Sequence, residues 1–131
     1  MKKLFPAIRP SAAALAAVMI LVAGSATGDL LELQWDDAGQ YSRELGVAPG
    51  QFSEVCGKLD RGQSIAWRFE ANAPLNFNVH YHEGAQVMFP VKQDAVAKAD
   101  GKLIVQIDQD YCWMWTNKSA KPVDLRLTLR R

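Results

Sequence analysis

Apolar and polar residues alternate along most of the chain beyond residue 52, which is the pattern of strands with one buried face. The clearest run is 75–82, where Leu, Phe, Val and Tyr alternate with Asn, Asn, His and His. Shorter runs of the same kind lie at 52–56, 64–70, 102–107, 111–117 and 123–130. Turn signals separate the runs about every ten residues. The pattern predicts an all-β domain with the architecture of a jelly-roll-like antiparallel β-sandwich.

Three stretches interrupt this regularity. Residues 29–50 mix apolar runs with two turn signals, and they predict one strand and an irregular segment. The segment 71–74, Ala-Asn-Ala-Pro, predicts a break between two strands. A further strand is expected at 85–91, whereas 93–100 is polar and alanine-rich and predicts a loop or one helical turn.

The first residues are typical of a secretory signal peptide. Residues 1–9 carry three cations and no acid, 11–23 are uncharged and mostly apolar, and 24–28 are small. An apolar run of about 13 residues is short for a membrane-spanning helix, which needs about 20. We therefore predict a signal peptide at 1–26 that is cleaved after Ala26, a single β-sandwich domain at 27–131, and a periplasmic or secreted location.

The charge of the mature chain argues against two classes of partner. Cleavage would remove Lys2, Lys3 and Arg9, and the formal charge would change from +1 to −2. A near-neutral chain without a basic block lacks the electrostatic signature of nucleic-acid binding. It also lacks a polybasic patch for anionic lipid. We expect no nucleic-acid partner, and no membrane association once the signal peptide is removed.

Cys56 and Cys112 are the two cysteines of the chain, so one pairing is possible. In an oxidising compartment two such cysteines predict a disulfide. Closing a loop of this length stabilises the fold by about 4 kcal/mol on loop-entropy grounds.

The C-terminal half resembles a known family. The run Tyr111-x-Trp113-x-Trp115-x-Asn117-x-Ser119 and the alternating strand after it look like the last two strands of the GOLD domain, the lumenal β-sandwich of secretory-pathway cargo receptors. The segment 75–87 is similar to the middle strands of that domain, and Cys56 suits its disulfide bridge. The family usually has its second cysteine where Met114 stands here. The resemblance implies a sandwich with a binding or adaptor role.

The segment 78–84, which contains the motif HYHEG, also looks like uncharacterised small exported bacterial proteins. That resemblance supplies no function.

A histidine pair is the sharpest chemical feature. On a strand, His80 and His82 point to the same side, so both imidazoles could bind one ion. Glu83, Met88 and Met114 could add donors that suit copper, and zinc is also possible. The alternative is two histidines that are solvent-facing or hydrogen-bonded on the polar side of a strand.

Cupins are jelly rolls that also carry a His-x-His pair, but the match fails here. The glutamate expected after the pair is missing, because Gln86 and Val87 stand in its place. The chain contains no third histidine, so it cannot form a three-histidine catalytic site by itself.

Aromatic residues offer a second candidate site. Exposed rings at Tyr81 and Trp115 would suit a sugar or peptide ligand, whereas Trp67 and Trp113 fit a core better. The serines lie in no nucleophile-elbow motif, and a Cys–His pair would need a free thiol.

The sequence therefore predicts an exported, non-enzymatic binding or adaptor domain whose partner is an unknown protein or small ligand. The alternative is a periplasmic copper-binding protein that uses the side of the strand carrying His80 and His82.

Overall fold

The computed structural model describes residues 28–131, so the predicted signal peptide lies outside the described residues. Seven strands form the fold: β1 (Asp29–Glu32), β2 (Gln40–Val47), β3 (Phe52–Leu59), β4 (Ser64–Glu83), β5 (Gln86–Ile104), β6 (Gln109–Thr116) and β7 (Val123–Arg130). Within residues 28–131 there is no helix that could cross a membrane.

The long strands β4 and β5 form a hairpin that runs through both layers of the sandwich. The first part of β4 pairs with β7, and its last part pairs with β6. The first layer therefore has the order β1-β3-β6-β4-β5, and the second has the order β2-β7-β4-β5. The register between β4 and β5 shifts after Glu70, where the hairpin passes from one layer to the other.

The bend in β4 turns its two parts toward each other across the core. Phe69 and Phe77 lie on the same strand, yet their ring centroids are 4.8 Å apart. A fully extended segment of that length would span about 26 Å. The predicted break at 71–74 is therefore a bend within one continuous strand.

The core consists of the inward-facing side chains of both layers. The ring centroids of Trp115 and Phe69 are 5.6 Å apart in an edge-to-face arrangement, and those of Trp67 and Phe77 are 5.0 Å apart. Trp67 and Trp113 are buried, which confirms their predicted place in the core. The inward positions of 75–81, 111–115 and 123–129 follow the predicted alternation.

The prediction of an all-β sandwich is confirmed, with three differences in detail. Residues 29–50 contain two strands, β1 and β2, where one strand and an irregular segment were predicted. β1 runs parallel to β3, with Leu31 opposite Val55, so the sheet is not wholly antiparallel. The loop or helical turn predicted at 93–100 is wrong, because this segment is part of β5 and pairs with β4. Ala95, with φ of 54°, marks the only non-glycine positive φ among residues 28–131 and interrupts the pairing locally.

The predicted disulfide between Cys56 and Cys112 is confirmed, with a sulfur–sulfur distance of 2.03 Å. The two cysteines are direct register partners on the adjacent strands β3 and β6. Their neighbours Val55 and Trp113 are fully buried, so the disulfide lies on the outer side of the first layer. It joins two strands of one layer and does not connect the two layers.

Candidate binding surface

The outer side of the first layer carries the residues that sequence reasoning singled out. We call the surface formed by Glu54, Cys56, Asn78, His80, Cys112 and Met114 the His80 face. Cys56, Cys112 and His80 form one cross-strand row, and Glu54, Met114 and Asn78 form the next. Although they point away from the core, Asn78 and His80 are only 9% and 7% exposed.

Asn78 holds the imidazole of His80. The two residues lie two positions apart on β4, so their side chains share one side of the strand. The distance from His80 Nδ1 to Asn78 Oδ1 is 2.8 Å. Because an amide oxygen can only accept, Nδ1 carries the hydrogen and donates it. In the neutral ring Nε2 is then unprotonated.

Glu54 lies beside that free nitrogen. Its Oε2 is 3.8 Å from His80 Nε2, which is longer than a hydrogen bond. Burial lowers the pKa of His80, and the nearby His82 lowers it further. Burial also raises the pKa of Glu54, although His82 acts in the opposite direction. Burial therefore disfavours the charged form of both groups.

The structure brings together part of the predicted metal-binding set. The rings of His80 and His82 are 5.6 Å apart, and His82 is exposed. Met114 lies opposite Asn78 and belongs to the same face. Glu83 and Met88 lie on the side of the hairpin that faces away from His80. Glu83 shares the side of Tyr81 on β4, and Met88 is the register partner of Tyr81 on β5. Binding of copper or zinc by the two histidines stays a prediction.

Sequence reasoning missed Glu54 as a member of this cluster. One ligand atom each from Glu54, His80 and Cys112 lies within 4.8 Å of the others. The signal that could have found it is the disulfide itself, because pairing Cys56 with Cys112 sets the register of β3 on β6 and brings Glu54 opposite Met114.

The predicted aromatic ligand surface is wrong. Trp115 is fully buried, and Tyr81 is only 7% exposed. Tyr81 packs on Tyr111 with ring centroids 4.8 Å apart, and Trp115 stacks near Phe77 at 5.5 Å. Both rings occupy inward positions of their strands, so neither can present a face to a ligand at the surface.

Exposed apolar residues occur instead beside the hairpin turn. Val87, Met88 and Phe89 follow one another on β5 and are 41%, 36% and 48% exposed. Val87 is the register partner of His82 and lies on the side of the hairpin that carries His80, whereas Met88 lies on the other side. We call Val87 and Phe89 the hairpin patch. Gly84, with φ of 61°, occupies the first position of the two-residue turn, where a left-handed conformation favours glycine.

Phe89 connects the hairpin patch to the His80 face. Its ring centroid is 6.0 Å from that of His80. Lys92 Nζ lies 5.4 Å from the centroid of the Phe89 ring, within the range of a cation–π interaction. The register shift between Val79 and Tyr81 in the pairing of β4 with β5 places Phe89 opposite His80. The patch and the face are therefore one continuous surface.

The second layer has a very different outer side. An open depression of about 790 Å³ lies there, lined by charged residues that include Glu44, Glu70, Asp124 and Arg126. Glu44 and Arg126 form an ion pair at 2.8 Å, with side chains 76% and 72% exposed. We call this surface the charged face. It is remote from the histidines and consists of solvated side chains.

No protein-family model and no curated protein sequence matches the chain. Solved structures with the same fold include PliG from Aeromonas hydrophila, a periplasmic inhibitor of g-type lysozyme, with a TM-score of 0.61 and 14% identity over 79% of this chain and 96% of that one. The pre-peptidase C-terminal domain of a Bacillus anthracis collagenase has a TM-score of 0.58 and 7% identity over 82% and 98%. PliG from Salmonella Typhimurium has a TM-score of 0.53 and 8% identity over 79% and 98%.

At such identities the likeness shows a shared β-sandwich fold. The resemblance of the sequence to GOLD domains stays a prediction.

Proposed function

We propose that this protein is an exported, non-enzymatic module that binds a protein partner through the hairpin patch and the His80 face. The observation that carries the proposal is the pair of exposed apolar side chains Val87 and Phe89 beside a surface whose polar groups are half-buried or buried. Contiguous exposed apolar side chains next to polar ones are typical of a protein-binding surface.

The two outer sides differ in what a partner would have to displace. Covering the charged face would remove water from many ionised groups, which costs free energy unless each group finds a new partner. The His80 face instead offers a disulfide, a methionine and an imidazole whose protonation is disfavoured by burial. Covering it costs less desolvation, so it is the better candidate for an interface.

Phe89 is the expected anchor of the interface. Large aromatic residues commonly contribute most of the binding energy when a partner encloses them. Its ring lies close to both His80 and the Lys92 ammonium group, and these neighbours restrict its rotation, so little conformational freedom is lost on binding.

The comparisons supply the first partner to test. The PliG proteins that share the fold are periplasmic inhibitors of g-type lysozyme. A disulfide also fits a compartment that is oxidising. We therefore propose a periplasmic location and a g-type lysozyme as the first candidate partner.

The test is calorimetric titration of g-type lysozyme into the exported protein, together with an assay of lysozyme activity. We expect one-to-one binding and inhibition. Phe89→Ser should weaken binding by at least about tenfold, which corresponds to about 1.4 kcal/mol.

Ile104→Ser is the matched control, because Ile104 is 50% exposed on the same strand but lies in the second layer. It should leave the affinity unchanged. Equal losses in both variants would contradict the assignment of the surface, and a wild-type protein that does not bind would exclude g-type lysozyme as the partner.

Copper binding by His80 and His82 is the second candidate, favoured by the 5.6 Å separation of their rings. It requires His82 as much as His80, so His82→Ala should abolish copper uptake by the oxidised protein. Uptake that is unchanged in this variant would contradict the candidate.

A further inference from the structure

Four potential metal ligands meet on the His80 face from three adjacent strands. Glu54 and Cys56 lie on β3, Cys112 on β6 and His80 on β4. Ligand atoms of Glu54, His80 and Cys112 lie within 4.8 Å of one another. The sulfur of Cys56 is bonded to that of Cys112 at 2.03 Å, so it lies next to the same group of ligand atoms. With the disulfide formed, neither sulfur is a thiolate that could bind a cation.

We propose that reduction of the Cys56–Cys112 disulfide creates a zinc site made of Cys56, Cys112, His80 and Glu54. A dithiol reductant supplies two electrons and two protons, so that the sulfur–sulfur bond breaks and the dithiol becomes a disulfide. Binding of Zn²⁺ then releases the two thiol protons to solvent. This inference is independent of the proposed binding function.

The strand geometry suits two thiolates on one ion. The Cα atoms of the cysteines are 4.1 Å apart and are fixed by the register of β3 on β6. Two thiolates at 2.3 Å from a tetrahedral zinc ion are separated by about 3.8 Å. Rotation about the Cα–Cβ bonds can open the sulfurs to that distance without movement of the backbone.

His80 is already oriented as a ligand. Its Nδ1–H donates to Asn78 Oδ1 at 2.8 Å, and its unprotonated Nε2 points toward Glu54. A hydrogen bond on the second ring nitrogen is the usual way in which proteins fix a zinc-bound histidine. Asn78 is thus the positioning residue of the site.

The set of donors favours zinc over a cuprous ion. Two thiolates, one imidazole and one carboxylate complete a tetrahedral zinc site. A cuprous ion prefers soft ligands and gains little from the hard carboxylate of Glu54. The charge of the three anionic ligands exceeds that of the ion by one, so the site also excludes additional anions.

The proposed site differs from the histidine pair predicted from the sequence. It uses Glu54 and both sulfurs, and it does not use His82, Glu83, Met88 or Met114. His82 is exposed and lies two residues further along β4, beyond the row that contains the disulfide. His82→Ala is therefore the matched control for His80→Ala.

The test is a zinc titration of the protein, purified after export, in competition with a chromophoric chelator. We expect one zinc per chain after reduction and none before it. His80→Ala and Glu54→Gln should each weaken zinc binding at least about tenfold, and Asn78→Ala by about tenfold, the usual effect of losing an outer-shell partner. His82→Ala should bind zinc like the wild type.

Two further readouts separate the site from binding by an unfolded chain. Zinc should slow alkylation of both reduced cysteines, and circular dichroism should retain the strand signal or regain it when zinc is added. The proposal is overturned if zinc uptake does not depend on reduction, if His82→Ala weakens it as much as His80→Ala, or if the reduced chain unfolds and zinc does not restore it.

Discussion

The two outer sides of this sandwich follow the same alternation but have different chemistry. On the charged face, Glu44, Arg126 and Glu70 form a cross-strand row of alternating charge. The corresponding row of the His80 face contains Cys112 and His80, and it ends at the ring of Phe89. The period of two therefore decides which residues point outward, whereas the residue types at those outward positions decide what the surface can do.

The charged face is built to stay in water. An exposed pair such as Glu44–Arg126 gains little from its Coulomb attraction, because solvent screens it. On the His80 face, Asn78 Oδ1 accepts a hydrogen bond from His80 Nδ1 at 2.8 Å, and both residues are mostly removed from solvent. Single substitutions on the charged face should therefore be tolerated, whereas the His80 face depends on specific contacts between its side chains.

The largest expected difference between the two faces follows removal of the disulfide. The double variant Cys56→Ala, Cys112→Ala should lower the free energy of unfolding by about 2–5 kcal/mol, since the bridge restricts the unfolded chain. Urea unfolding measures the loss. Glu44→Gln, which breaks the ion pair on the charged face, should give an unfolding curve close to that of the wild type. A similar effect of both changes would contradict the contrast.

The next largest effect concerns Asn78. Asn78→Ala leaves the Nδ1–H of His80 without its acceptor, and an unsatisfied buried donor costs about 1–3 kcal/mol. The matched change is Asn72→Ala on the other layer, where the side chain is exposed and accepts a hydrogen bond from the amide of Asp124. Thermal unfolding should rank Asn78→Ala as the more damaging; the reverse order would show that the His80 network does not stabilise the fold.

The pH dependence should also be localised to the His80 face. Burial lowers the pKa of His80 below its ordinary 6.5, so the unfolded chain takes up this proton at higher pH than the folded one. The contribution of His80 to stability is therefore fully present above about pH 6.5 and falls as the pH decreases toward the lowered pKa. The loss cannot exceed about 1.4 kcal/mol per pH unit.

Glu54 acts in the opposite direction. Burial raises the pKa of Glu54 above 4.5. The contribution of Glu54 to stability is therefore present below about pH 4.5 and is lost as the pH rises through the raised pKa. Urea unfolding between pH 4.5 and 7.5 measures how the free energy of unfolding depends on pH. The part of this dependence that comes from His80 should disappear in His80→Gln and persist in the exposed control His82→Gln. An unchanged slope in His80→Gln would refute the assignment.

The smallest expected effect on stability is that of Phe89. Because the side chain is 48% exposed, Phe89→Ser should change the free energy of unfolding by less than about 0.5 kcal/mol. Its consequence should be seen in partner binding alone. A large loss of stability would mean that the ring belongs to the core of the first layer and is not kept for an interface.

Local alternation was sufficient to predict most of the sandwich. The inward residues of β6 and β7 and the core positions of Trp67 and Trp113 follow directly from a period of two. The path of β5 could not be predicted in the same way. Its residues 93–100 are polar because the strand lies at the edge of the sheet, and their pairing with β4 is a tertiary contact that local composition does not record.

The candidate site was predicted only in part for the same reason. His80 and His82 are close in sequence, so their shared side of the strand was evident. Glu54 and Cys112 reach His80 through the register of three strands, which no short-range pattern encodes. Trp115 was expected at the surface although it shares a side of β6 with Trp113, so a consistent use of the period of two would have placed it in the core.

The central claim is that the His80 face and the hairpin patch together form the surface that binds a partner. A photo-crosslinking amino acid at position 89, compared with one at position 68 on the charged side of β4, tests it in intact cells. The account predicts a discrete crosslinked protein species from position 89, which is lost when Val87 is changed to serine, and none from position 68. Equal crosslinking at both positions, or a species from position 68 alone, would contradict it.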